Sequence, residues 1–90
     1  MAIILAIGTT AANSSDVVIE VGEPLTVSLE DAAGPKVLGG ALVHILLKAD
    51  SGEYFRVGQL SAERPAAIID GAGTYRFSRV AGVSCGVFSG

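Results

Sequence analysis

The sequence predicts an all-β chain folded as a single antiparallel sandwich or barrel of about seven or eight strands, on three observations. Breakers recur at nearly even spacing, as GTTAANSS, VGEP, DAAGPKVLGG, DSGE, AERP, DGAG and AGVS. The segments between them are rich in Val, Ile, Leu, Tyr and Phe, residues that fit a pleated, half-buried surface. Two of those segments alternate apolar with polar residues at period two, the pattern of strands with one wet face.

Taken in order, the first strand is expected over Ala2 to Thr9. Its AIILAI core is far too short to span a bilayer, and MAIILAIG lacks the positive region of a secretory signal. Residues 1–10 are expected to form an extended interface strand. The second strand, Asp16 to Val21, points Val17, Ile19 and Val21 one way and Asp16 and Glu20 the other. The third, Leu25 to Glu30, sets Leu25, Val27 and Leu29 against Thr26, Ser28 and Glu30.

The fourth, Ala41 to Ala49, alternates poorly, because Leu42 and Leu46 share a face with His44 and Lys48. It is therefore either central in a sheet or covered by a partner. A helix is the competing reading of ALVHILLKAD, opposed by the β-branched Val43 and Ile45 and by the Gly39-Gly40 entry. Strands over Glu53 to Leu60, Ala66 to Asp70, Thr74 to Val80 and Val83 to Phe88 complete the set. Asp50-Ser51-Gly52 and Ala81-Gly82 are short enough to close antiparallel hairpins. The long connection is Glu30 to Gly40, whose small residues suit an exposed crossing between sheets.

Ninety residues make one domain. Folding at this size removes only about 60% of the unfolded chain's accessible surface, so the stability margin is small. Half the residues are apolar and the mean hydropathy is +0.57, which leaves two accounts: apolar surface held against another chain, or a compact core with scattered exposed aliphatics.

Charge and residue type then exclude functions. Six Lys or Arg against nine Asp or Glu give a net charge of −3, and the basic residues never cluster in a run. A direct nucleic-acid partner is not expected, since phosphate binding needs a concentrated positive face, and neither is a membrane. Cys85 is alone, so the chain holds no internal disulfide and no multi-cysteine zinc site; in VSCGV it reads as a small buried strand residue. His44, the single histidine, reads as a half-buried sheet histidine satisfied by a neighbour. No nucleophile elbow is present, and Glu30-Asp31 and Asp50-x-Gly52-Glu53 read as solvated turns. No enzyme, cofactor or metal is expected.

Arginine is the more informative charge. Arg56, Arg64, Arg76 and Arg79 lie in the second half beside Tyr54, Phe55, Tyr75 and Phe77, and arginine beside aromatics is the composition of protein interfaces. The other account is a solvated face with intrachain ion pairs. Ile3, Leu5, Ile7, Leu42, Leu46, Tyr54, Arg56, Arg64, Arg76 and Arg79 are the interface candidates.

The closing stretch, DGAGTYRFSRVAGVSCGVFSG, places Tyr75 just after a glycine turn. In immunoglobulin-like sandwiches a tyrosine at the start of the penultimate strand bonds back to the backbone at the corner, and a buried residue follows two positions on. Gly73, Tyr75 and Phe77 fit that corner, with Phe77 in the slot that holds cysteine in antibody domains.

With its extended N-terminal stretch, its EYFRVGQL strand and its closing G-T-Y-R hairpin, the chain from Val17 onward resembles small virion proteins of tailed bacteriophages, head decoration or cement proteins among them. The resemblance implies an immunoglobulin-like sandwich, located in the virion after synthesis in the host bacterial cytoplasm. It further implies binding to the major capsid protein or another virion protein, stabilisation of the shell, self-association, and no reaction or cofactor. Ile3, Leu5 and Ile7 would then add an edge strand to the shell or to a neighbouring copy. The chain departs from the pattern in lacking an appended anchoring arm, which leaves a tail or head-to-tail position open. An immunoglobulin-like recognition module is the alternative.

Overall fold

The computed structural model describes residues 2–31 and 40–89; most of the long connection expected over Glu30 to Gly40 lies outside them. The described residues form nine strands and no helix: β1 (Ala2–Gly8), β2 (Ala12–Asn13), β3 (Val17–Ile19), β4 (Leu25–Glu30), β5 (Leu42–Lys48), β6 (Tyr54–Ser61), β7 (Ala66–Ile69), β8 (Gly73–Arg79) and β9 (Cys85–Ser89). They make two antiparallel sheets packed as a sandwich. Sheet A runs β1-β9-β4-β7 and sheet B runs β2-β8-β5-β6, with β3 also on β8.

All eight expected strands are present, ALVHILLKA among them as β5, which lies centrally between β8 and β6. The ninth, β2, sits inside the stretch read as a breaker. Its origin is Ser14, where the edge strand of sheet B is interrupted. Ser14 N–H donates to the Phe77 carbonyl at 2.8 Å, and Phe77 N–H donates to Ser14 Oγ at 2.9 Å. A side-chain hydroxyl thus takes the place of a backbone carbonyl in the ladder, so the chain can jog between β2 and β3 without leaving Phe77 N–H unpaired.

The pairs β4/β7 and β5/β8 follow the order of an immunoglobulin sandwich, in which the last strand lies beside the penultimate one. Here the terminal strands are exchanged: β9 pairs with β4 and β1, while β2 and β3 flank β8. The corner itself forms. Tyr75 Oη donates to the Gly71 carbonyl at 2.8 Å, and Phe77 is fully buried two residues on. Gly73 enters β8 at φ +156°, and a Cβ there would stand 3.0 Å from Leu47 Cδ1, so the turn needs a glycine.

Alternating inward residues build the core: Val27 and Leu29 from β4, Val43 and Ile45 from β5, Tyr75 and Phe77 from β8, Cys85 and Val87 from β9. Cys85 is buried as expected, and that burial raises its thiol pKa.

The N-terminal strand departs from the expectation. Ile3, Leu5 and Ile7 would share one face of a regular strand, but the β1–β9 register shifts between Ile3 and Leu5 and again between Leu5 and Gly8. Each irregularity changes the facing of the residues beyond it. Ile3 stays exposed opposite Phe88, Leu5 turns into the core opposite Val87, and Ile7 lies outward over Gly86. β1 is a strand of the sandwich and supplies a core residue, Leu5, while Ile3 and Ile7 stay at its surface.

Gly86 is where β1 comes closest. A Cβ on it would stand 2.7 Å from the Leu5 carbonyl oxygen and 2.9 Å from Ile7 N, both backbone atoms that cannot yield without moving the strand. Gly86→Ala is expected to lose about 1–3 kcal/mol in urea unfolding. Gly58→Ala, whose new Cβ would lie 3.7 Å from Ile45 Cδ1, is expected to stay within about 1 kcal/mol of the parent. Equal losses in the two variants would contradict the close approach of β1.

Candidate interaction surfaces

The candidates fall on three different surfaces. Register assigns Ile3, Ile7, Phe88, Ser28, Ala66 and Ile68 to the outer face of sheet A, together with Thr26, Gly86 and Glu30. One row runs straight across the four strands as Ile3, Phe88, Ser28 and Ala66. Glu30 is the sole ionisable group on this face among the described residues. Ile3 is 67% exposed and Ile68 69%, so apolar surface lies open at both margins of the sheet.

The outer face of sheet B is charged. It carries Leu42, His44, Leu46 and Lys48 from β5, with Arg76 from β8 and Tyr54 and Arg56 from β6. Leu42 and Leu46 are half-buried there; Leu46 lies between Arg56 and Arg76. His44 departs from its expected satisfied state, since its Nδ1 is enclosed without a hydrogen-bond partner. Arg56 is exposed.

Asp16 organises this face. Tyr54 Oη donates to Asp16 Oδ1 at 3.0 Å, Arg76 Nε donates to the same oxygen at 3.1 Å, and Arg76 Nη2 lies 3.0 Å from it. Lys48 Nζ stands 3.8 Å from Oδ2. The Arg76 guanidinium also covers the Tyr54 ring, 4.3 Å from its centroid. The result ties the residue before β3 to β8, β5 and β6. The Tyr54 hydrogen bond, then that of Arg76, holds the Asp16 carboxyl below its ordinary 3.8. Desolvation and then the Asp16 bond raise the Tyr54 phenol. Asp16 went unrecognised in the sequence because, at the start of the expected strand and on the same face as Glu20, it reads as one more solvated residue of a wet face.

Arg79 is the clearest correction. It was expected at an interface, but it is 5% exposed and lies between the sheets. Its Nε donates to the Thr10 carbonyl at 2.7 Å; Nη1 donates to Ala6 at 2.6 Å and to Cys85 at 2.9 Å. These carbonyls belong to β1, to the crossing from sheet A to sheet B, and to β9. The period of two already places residue 79 on the inward face with Tyr75 and Phe77. Leu5 and Arg79 are therefore used up within the chain, whereas Ile3, Ile7, Arg56 and Arg64 remain on its surface.

A groove of about 380 Å³ opens where β6 faces β7 at the side of the sandwich, floored by Ile45, Ile69 and Tyr75 and rimmed by Gln59, Arg64 and Asp70. Among the described residues no group of three His, Cys, Asp or Glu could hold a metal ion, and no helix is long and apolar enough to cross a membrane. No family model matches the chain, and no curated protein or solved structure is significantly similar to it.

Two outcomes test these surfaces. Arg79→Met keeps the apolar stem but removes the guanidinium donors from three carbonyls, that of Cys85 buried and those of Ala6 and Thr10 partly so; thermal or urea unfolding should show a loss of about 2 kcal/mol or more, a large share of the roughly 5–15 kcal/mol that holds a domain. A loss under about 1 kcal/mol would show that water replaces the guanidinium. Asp16 has a depressed folded-state pKa, so its contribution is complete above 3.8 and is lost as pH falls below that value. Asp16→Asn should lower the melting temperature at pH 7, and the gap from the parent should close as the pH is brought towards about 2; a gap that stays constant with pH would contradict the clasp.

Proposed function

We propose that the chain is a non-enzymatic virion structural protein of a tailed bacteriophage, a decoration protein that binds the outer surface of the head through the outer face of sheet A and stabilises the shell. The single observation that carries the assembly role is the contrast between the two outer faces. Sheet B dresses its face with Asp16, Lys48, Arg56 and Arg76, as a solvated sheet does; sheet A leaves Ile3, Ile7, Ile68 and Phe88 with Glu30 as the one charge. A largely apolar face with a single charge is suited to burial against protein. The head as the partner rests on the sequence resemblance alone.

Contacts of this kind need not be large. A protein repeated over a symmetric shell gains avidity from many equivalent weak contacts, and a sandwich without reactive groups suffices for that role. A tail or head-to-tail position would use the same face on a different virion protein.

The test is sedimentation of the purified protein with emptied phage heads from the same source. Co-sedimentation saturating at a symmetry-related stoichiometry is expected, with Ile3→Asp abolishing it and Val18→Asp, on the outer face of sheet B, leaving it intact. A protein that stays in the supernatant at all concentrations would remove the head from the proposal. Equal loss in both variants would remove the face.

A further inference from the structure

Among the described residues, β7 has the most regular free edge of the sandwich. Four edges border the sandwich, and three are poor templates for another strand. β1 carries two register shifts and has its Ala6 carbonyl taken by Arg79. β6 bulges at Val57, between the pairs Ile45↔Gly58 and Leu46↔Arg56. The edge formed by β2 and β3 is interrupted at Ser14 to Asp16. β7 pairs with β4 in unbroken register from Leu25↔Ile69 to Ser28↔Ala66.

The direction of its backbone groups is fixed by one hydrogen bond. Leu29 N–H donates to the Pro65 carbonyl at 2.7 Å, which makes residues 65, 67 and 69 those whose polar groups turn towards β4. By the alternation of an antiparallel ladder, Ala66 and Ile68 turn theirs to the free edge. Both residues are exposed, and the groove between β6 and β7 leaves room beside them.

The flanking charges supply the partner's identity. Arg64 and Asp70 both line the groove rim, and neither forms an ion pair among the described residues. They lie three residues either side of Ala67 in RPAAIID. A two-fold axis through Ala67, normal to sheet A, sets Arg64 opposite Asp70 of the second copy and Asp70 opposite its Arg64. The same axis sets Ala66 opposite Ile68, small against large, and joins the outward N–H and C=O groups of those two residues. No other register centred on a residue of β7 satisfies both the backbone groups and the charges.

We infer that the chain forms an isologous dimer by antiparallel pairing of β7 with β7 of a second copy, so that two copies of sheet A become one continuous sheet. The pairing is independent of what the outer face of sheet A meets. It would present that face as a doubled surface.

Sedimentation equilibrium of the full chain, without phage heads, tests it. The parent is expected to dimerise below about 1 mM, less tightly as salt rises. Arg64→Asp and Asp70→Arg each place like charges opposite one another twice, and each should raise the dimer Kd at least about tenfold. An equimolar mixture of the two variants should form a heterodimer, and the double variant R64D/D70R should dimerise like the parent. Rescue by mixing cannot come from misfolded chains. A parent that remains monomeric to about 1 mM, a dimer indifferent to either swap, or a mixture that fails to pair would each overturn the inference.

Discussion

The sandwich depends on one buried cation. Residues 9–11 carry the chain from sheet A to sheet B, and the crossing turns the Thr10 carbonyl towards the buried Arg79 side chain. Arg79 answers the Thr10 carbonyl of that crossing and, with the same planar fork of donors, the carbonyls of Ala6 in β1 and Cys85 in β9. Taking a guanidinium out of water costs several kcal/mol when it is uncompensated. Here compensation comes from carbonyl dipoles. A lysine presents a point charge on a longer-ranging stem and could not hold three acceptors in this plane, so the site selects arginine by shape as much as by charge.

The two cross-ties of the molecule differ in kind. Arg79 lies inside and is shielded from salt by burial. The Asp16 network lies outside, where Tyr54, Arg76 and Lys48 meet one carboxylate exposed to solvent ions. The inner tie fixes how the sheets are joined, and the outer tie sets how firmly β3 and β6 are held to the middle of sheet B. Among the described residues no such charged network spans the outer face of sheet A.

Much of this was legible in the sequence, for definite reasons. Breaker spacing and β-branched runs located eight strands because turns and pleats impose local residue preferences. The tyrosine corner could be read from G-A-G-T-Y because it closes within a few residues. What escaped depends on contacts far apart in the chain. β2 exists because Ser14 bonds to Phe77, 63 residues away, and the break of β1's alternation comes from bulges against β9. Arg79 was misplaced although its inward parity was visible, because a charge beside aromatics suggests an interface more readily than a core. Asp16 became a hub only when the fold brought Tyr54 and Arg76 to it. The self-complementary charges around Ala67 were present in the sequence throughout, but their meaning required knowing that β7 is an edge.

The pairing of Ala2 with Ser89 has a consequence for synthesis on the ribosome. β9 lies between β1 and β4 and is the neighbour of both. Until residues 85–89 have emerged, sheet A can hold nothing beyond β4 and β7, and the AIILAIG segment has no strand to lie against. Long-range pairing of this kind is slow and leaves apolar segments uncovered in the meantime. The nascent chain therefore makes this apolar segment well before the strand that covers it, which makes the interval between the two part of how this sandwich reaches its folded state.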